Sequence, residues 1–206
     1  AGGVPSASIG KPTRGALHDG VQLVDGEHWK VVAPDHAWGT RETVRSIIAA
    51  VETVEARHPD GHLLHIGDLS REHGGRLYPH RSHQSGRDVD LGYYYLPNVV
   101  GHWYRPATSR TLDRIRTWAL VEALLEQGNV EYIFMDRTVQ KLLRDHAQEL
   151  GVSEERLQAI FQLRSRHPSP IVRHTWGHLT HMHVRFVSAA ACERGKQHDA
   201  KRRPSR

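Results

Sequence analysis

Imidazoles and carboxylates at short spacing are the raw material of a metal centre, and two stretches of the chain supply them: HRSHQSGRDVD, residues 80–90, and HLTHMHVRF, residues 178–186. A zinc ion at a hydrolytic site takes three protein ligands and leaves one position for water. In the first stretch His83 precedes a Gln-Ser-Gly turn, and Asp90 follows on what should be an incoming strand. Gly86 lets the chain reverse sharply there, so a loop imidazole and a strand carboxylate can converge on one point. In the second stretch His181 and His183 lie two apart on an expected strand, and side chains at i and i+2 share a face. Two adjacent strands carrying these faces would offer His, Asp and His to one ion.

Spacing alone leaves the ligand set open. Both histidines of the H-M-H triplet could bind one ion, and Asp88 shares a face with Asp90, so four or five candidates compete for three places. The chain is also rich in histidine, with 17 in total, and an isolated HxH can arise by chance in such a composition. The joint occurrence of HxxHxxxxxxD and HxxHxH is far less accidental. Histidine is the commonest metal ligand as a neutral imidazole, so a metal centre is the expectation.

The elements that must position these groups are read from periodicity. Residues 1–27 form a loop-like lead-in with one short strand near Val21–Leu23, and residues 29–33 a second strand. Thr40 caps a helix whose Val44, Ile47, Ile48, Val51 and Val54 recur at helical spacing and which ends before the His58-Pro59-Asp60-Gly61 turn. Residues 62–69 read as a buried strand, the glycine-rich segment after them as a loop, and Val89–Tyr95 as the next strand. A helix spans 110–127 with Leu112, Ile115, Trp118 and Leu125 inward, closed by Gly128-Asn129. A strand at Tyr132–Met135 is followed by a helix from Thr138 with Val139, Leu142, Leu143, His146 and Leu150 on one stripe. Ser153 caps a short helix through Phe161. Met182, Val184 and Phe186 then alternate with His181, His183 and Arg185 in the period of a half-buried strand. Helices interleaved with strands, without a regular βαβ rhythm, give an α+β class with a mainly antiparallel central sheet flanked by helices.

Length and composition set the outer bounds. The 206 residues, 38% hydrophobic and 25% charged, suit one globular domain with a real core: residues 1–190, followed by a basic, disordered tail at 191–206. The formal net charge is +5. Arg194, Lys196, Lys201, Arg202, Arg203 and Arg206 stand against only Glu193 and Asp199 in that tail, so it holds about four of the five charges. The remainder is nearly neutral, which argues against a nucleic-acid surface; the tail itself suits a solvated arm near anionic wall polymer. A single cysteine, Cys192, excludes an internal disulfide and any cysteine-rich zinc module. No apolar run is long enough to span a membrane. The start at Ala1-Gly2-Gly3 is compatible with a chain from which a signal peptide has been removed.

The two histidine motifs carry a resemblance. HRSHQSGRDVD followed by HLTHMHVRF resembles the penicillin-insensitive murein endopeptidases, which belong with the lysostaphin-type and D-Ala-D-Ala metallopeptidases. The likeness runs on through IGDLSREHGGRLYPHRSHQSGRDVDLGYYY, RTWALVEALL and EYIFMD, over residues 10–187. It implies that His83, Asp90 and His183 bind one zinc ion, with a second ion left open. His181 is then the general base or transition-state stabiliser, and His178 a further catalytic histidine. His80 and Asp88 back the ligands, with His80 also a candidate for a second ion and Asp113 a further guess for it. The implied reaction is hydrolysis of D-Ala–meso-diaminopimelate crosslinks in peptidoglycan by a metal-activated water, in the periplasm or outside the cell. No acyl-enzyme forms, which fits insensitivity to serine-acylating β-lactams. The best-known relatives pair several cysteines, and this chain has one, so their disulfide framework does not transfer.

Other residues divide between substrate and structure. Arg87 could hold a substrate carboxylate or decorate its turn. Tyr93 could line a groove together with Tyr94 and Tyr95, although aromatics in a strand are commonly core, and Trp176 could wall the cleft. His146, His62 and His65 read as core histidines. Three functional alternatives remain: a D,D-carboxypeptidase or dipeptidase using the same site, a non-catalytic zinc-bearing wall-binding module, and, on charge alone, a nucleic-acid binder. The oligomeric state is not encoded in any pattern recognised in the sequence.

Overall fold

The structure is a computed structural model and describes residues 4–99 and 103–202. The chain opens with a hairpin, β1 (Ala7–Lys11) and β2 (Arg14–His18), and passes through β3 (Val21–Gln22), β4 (Trp29–Val31) and β5 (Trp38–Gly39) to helix α1 (Arg41–Arg57). Strands β6 (Leu64–Ile66) and β7 (Asp88–Gly92) bracket the long glycine-rich loop. Then follow α2 (Arg114–Glu126), β8 (Val130–Phe134), α3 (Arg137–Glu149), α4 (Glu154–Ile160), β9 (Val172–Arg173), β10 (His181–Phe186) and α5 (Ala189–Arg202). The helix starts follow the caps read from the sequence: Thr40 accepts from the Thr43 N–H, and Ser153 from that of Arg156. Gly128, at φ +69°, turns the chain out of α2 in the left-handed region where glycine carries no steric penalty.

The main sheet has six strands in the order β4-β6-β7-β10-β8-β9. The α+β class holds and the sheet is mostly antiparallel, but it is mixed: β6-β7, β7-β10 and β10-β8 are antiparallel, whereas the outer pairs β4-β6 and β8-β9 are parallel. Alternation sorts its two faces. Val89 and Leu91 on β7 and Met182 and Val184 on β10 are fully buried and join Ile47 and Val51 of α1, Leu120 and Leu124 of α2, and Val139 and Leu143 of α3 in one core. The residues between them, Asp88, Asp90, His181 and His183, therefore project from the opposite face.

Several local expectations are corrected. Ile115, in the first turn of α2, points outward at 52% exposure, and Leu150 is likewise exposed as the C-cap of α3. Strand β7 ends at Gly92, so Tyr93, Tyr94 and Tyr95 lie beyond it, all buried. Of the expected lead-in loop, residues 4–27 are more structured than a loop, since they contain the β1–β2 hairpin as well as β3. His146 sits in the α3 stripe as expected, yet its Nε2 has no hydrogen-bond partner.

The segment expected as a disordered tail is helix α5, docked on β1; of its basic residues, Arg203 and Arg206 lie outside the described residues. Arg194 explains the docking, because its guanidinium donates to the Ser6 carbonyl at 2.6 Å and to Glu42 at 2.6 Å. Gly195 lets the helix come close: a Cβ there would collide with the carbonyl group of Ser8. A basic composition thus hides a seated helix, since its small residues leave little hydrophobic periodicity to read. Gly195→Ala should cost about 1–3 kcal/mol of stability by overpacking, against a gain of about 1 kcal/mol expected from helix propensity alone. Chemical denaturation measures the sign, and a stabilised variant would show that α5 does not rest on β1.

Candidate metal centre

The site is built on the pairing of β7 with β10. Their antiparallel register sets His183 opposite Asp90, Arg185 opposite Asp88 and His181 opposite Gly92. Directly opposed residues share a face, so two histidines and two aspartates stand side by side, and Gly92 leaves room beside His181. His83 reaches the same point from the loop. It adopts φ +63°, a conformation rare for a residue with a side chain, and its N–H is held at 2.9 Å by the Asp88 carboxylate. Gly86, at φ +69°, makes the sharp reversal between loop and strand.

Three atoms converge. His83 Nε2 lies 3.0 Å from His183 Nδ1 and 3.3 Å from Asp90 Oδ1, and His183 Nδ1 is 3.0 Å from Asp90 Oδ1. Four ligands at zinc–nitrogen and zinc–oxygen bond lengths define a tetrahedron with edges of about 3.3–3.4 Å, so the spacing fits an ion between them. His80 joins the cluster too: ligand atoms of His80, His83 and Asp90 all lie within 4.8 Å of one another, and this group could hold a metal ion. The His183 triangle is the tighter of the two.

An oxygen stands behind each ring, and for His83 and His80 it makes the hydrogen bond that fixes a metal-binding histidine's tautomer. His83 donates from Nδ1 to the Leu69 carbonyl at 2.9 Å, leaving its Nε2 lone pair toward the cluster. His183 Nε2 lies 3.5 Å from Asp88 Oδ1. His80 Nε2 meets Asp68 Oδ2 at 2.9 Å, and the other oxygen of Asp68 takes His36 Nδ1 at 3.0 Å. Asp88 is in turn gripped by Arg185, with Nε to Oδ1 at 2.6 Å and Nη2 to Oδ2 at 3.2 Å.

Burial disfavours charge on both carboxylates. For Asp90 the charges and hydrogen bonds of His83 and His183 override burial, and for Asp88 His183 and Arg185 do so, so both groups are held well below the usual carboxylate range. For His183 burial pulls the pKa down, but the neighbouring carboxylates of Asp88 and Asp90 raise it to about 9. His181 has no such carboxylate bond. Burial lowers it to about 4 against the opposing charge of Asp90, which leaves the ring a neutral base at physiological pH.

The cleft over these groups has a volume of about 410 Å³. His181 Nε2 is 3.9 Å from Asp90 Oδ2, and its Nδ1 is 3.0 Å from Thr180 Oγ1. The His178 ring lies 4.9 Å from that of His181, with Nδ1 turned to the backbone carbonyls of Thr175 and Trp176. The geometry thus brings His80, His83, Asp90, His178, His181 and His183 around one cleft.

Other sequence candidates fall elsewhere. Asp113 caps α2, accepting from the Arg116 N–H at 3.0 Å, and does not line the cleft. Arg87 does not line it either; its carbonyl accepts from the Phe186 N–H at 2.8 Å. Tyr93 is buried and donates its hydroxyl to the His178 carbonyl at 2.9 Å, so it braces the loop rather than facing a substrate. Trp176 is exposed, next to the cleft-lining Thr175. Sequence reasoning missed Asp68, His36, Arg185 and Tyr104. Only the GDL triplet after β6 hinted at Asp68, and nothing periodic marked the others.

Asp88→Asn keeps the shape of the group that supports both His83 and His183 but removes its charge. Zinc affinity should fall about 10–100-fold, as measured by competition with a chromogenic chelator on protein whose circular dichroism is unchanged. Wild-type affinity in that variant would show that Asp88 does not act on the ion's ligands.

No curated protein matches the chain. It does match the penicillin-insensitive murein endopeptidase family over residues 8–205, nearly its whole length and including the segment of α5. The imidazoles and carboxylates clustered in this cleft are groups that a metal-assisted peptide hydrolysis would use. By that match, the chain belongs to the penicillin-insensitive murein endopeptidase family, whose substrate is peptidoglycan.

Proposed function

We propose that this chain is a zinc-dependent endopeptidase that hydrolyses D-Ala–meso-diaminopimelate crosslinks of peptidoglycan, acting in the periplasm or outside the cell. The observation that carries the reading is the triangle of His83 Nε2, Asp90 Oδ1 and His183 Nδ1, with edges of 3.0–3.3 Å, at the floor of an accessible cleft. These three residues would hold one zinc ion. When bound, zinc supplies Lewis acidity, polarising the scissile carbonyl and lowering the pKa of its water.

The remaining chemistry belongs to the chain. His181 stands beside the triangle and is kept neutral by burial, so it can accept a proton and return it to the departing amine. His178, its Nδ1 committed to backbone carbonyls, is left with Nε2 to orient the substrate or its water. His80, held by Asp68, backs Asp90, whose Oδ2 is 3.7 Å from His80 Nδ1. Asp88 and Arg185 hold the ligand frame. The match to murein endopeptidases supports the substrate class, and the donor set supports zinc.

Purified sacculi, digested with and without chelator and followed by separation of the released muropeptides, test the reading. His183→Ala should lose both bound zinc and digestion. His181→Ala should keep zinc while turnover drops about 10²–10⁴-fold, the usual contribution of a general acid–base group. Crosslinked dimers should fall to monomers. Loss only of terminal D-Ala would instead indicate a carboxypeptidase, and zinc binding without turnover a wall-binding module.

A further inference from the structure

Among the described residues ten large hydrophobic side chains stand exposed, and only three of these are aromatic: Tyr78, Tyr104 and Trp176. Tyr104 lines the cleft, and the other two are chain neighbours of lining residues: Tyr78 directly precedes Pro79 and Trp176 directly follows Thr175. Tyr78 and Trp176 are 81% and 85% exposed, whereas Tyr94, Tyr95 and Trp118 are almost wholly buried, so the fold is able to enclose large rings. Exposed apolar groups scattered singly need no explanation, but exposed rings confined to the segments that line one cleft point to a binding surface.

Tyr104 adds a second observation. Its backbone sits at φ +58°, an outlier for a bulky residue and a strain that persists at binding and catalytic sites. The ring is held 5.4 Å from that of His181 and 5.1 Å from that of Trp103. Trp176 is braced edge-on against His174 at 5.1 Å, which leaves its indole open to solvent.

Broad rings standing in water suit a ligand with a flat apolar face and a polar edge. A pyranose ring is such a ligand: its axial C–H bonds carry partial positive charge and stack on the negative face of an aromatic, while its equatorial hydroxyl and acetamido groups stay hydrated. A bare peptide crosslink offers no such face. Murein joins its peptides to amino-sugar strands through a few residues of stem peptide, on the order of 10–15 Å when extended, so sugar can reach side chains beside a cleft that holds the crosslink. We propose that Tyr78, Tyr104 and Trp176 form a stacking rim for the glycan strand of peptidoglycan, which selects crosslinks still attached to sugar. This rests on the reading of the cleft as the peptidase site.

The test compares two substrates of the zinc-loaded protein: intact sacculi, and crosslinked peptide dimers freed of all sugar by an amidase. Trp176→Ala and Tyr78→Ala remove exposed rings and leave Tyr104, which touches His181, in place. Each variant should lower the preference for sacculi over sugar-free dimers about tenfold, the scale of truncating an interfacial aromatic. Cosedimentation of chelator-treated variants with sacculi should weaken to the same extent, a readout independent of turnover. An unchanged preference together with unchanged cosedimentation in both variants would overturn the rim, as would equal losses on the two substrates. Wild-type protein that cleaves neither substrate would sink the peptidase reading instead, while cosedimentation would still judge the rim.

Discussion

The site depends on one register, the pairing of β7 with β10 that sets His183 against Asp90. A slip of one residue would turn every side chain on one strand to the other face. It would carry His181 and His183 into the core and bring Met182 and Val184 out over the cleft. The same four hydrophobic residues that bury the back of the sheet, Val89, Leu91, Met182 and Val184, therefore hold the imidazoles and carboxylates of the cleft in place at the front. Core packing and site geometry are two faces of a single alternation.

Gathering acids and imidazoles in a buried patch is costly unless each charge finds a partner. Here the partners are arranged in series. Arg185 neutralises Asp88, and Asp88 fixes the strained backbone of His83 while facing His183. His36 and His80 share Asp68, whose carbonyl accepts the Asp90 N–H at 3.0 Å. The exceptions are His181 and His178, which have no carboxylate in hydrogen-bond contact and whose pKa values burial consequently lowers. Two histidines are thus kept neutral by the same environment that surrounds their neighbours with carboxylates.

Much of this was legible in the sequence, because the two histidine motifs are local and their spacing maps directly onto a loop reversal and a strand face. The caps at Thr40 and Ser153 and the period of β10 were legible for the same reason. What was not legible depended on distant pairing. The parallel partners of β6 and β8 leave no local signature, and so the sheet's mixed character was hidden. Asp113 carries the same carboxylate as Asp88, yet it is spent on capping α2, a use that its helix-start position signals better than any metal reading. Asp68 on irregular backbone and His36 at the end of a one-turn 3-10 helix are single polar residues, and only the fold brings them behind His80. Likewise, α5 is too rich in charge for its composition to reveal that it is docked.

That docked helix bears on the cleft through a short mechanical chain. Arg194 and Gly195 seat α5 on β1, and Ser8 of β1 donates its hydroxyl to the Ser85 carbonyl at 2.8 Å, while the Gln84 N–H reaches the Pro12 carbonyl at 3.0 Å. Ser85 and Gln84 immediately follow His83. The loop that presents an imidazole thus owes its rigidity to a splint made from both flanks of the fold, and a segment that reads as an expendable basic appendage sets how steadily that imidazole is aimed.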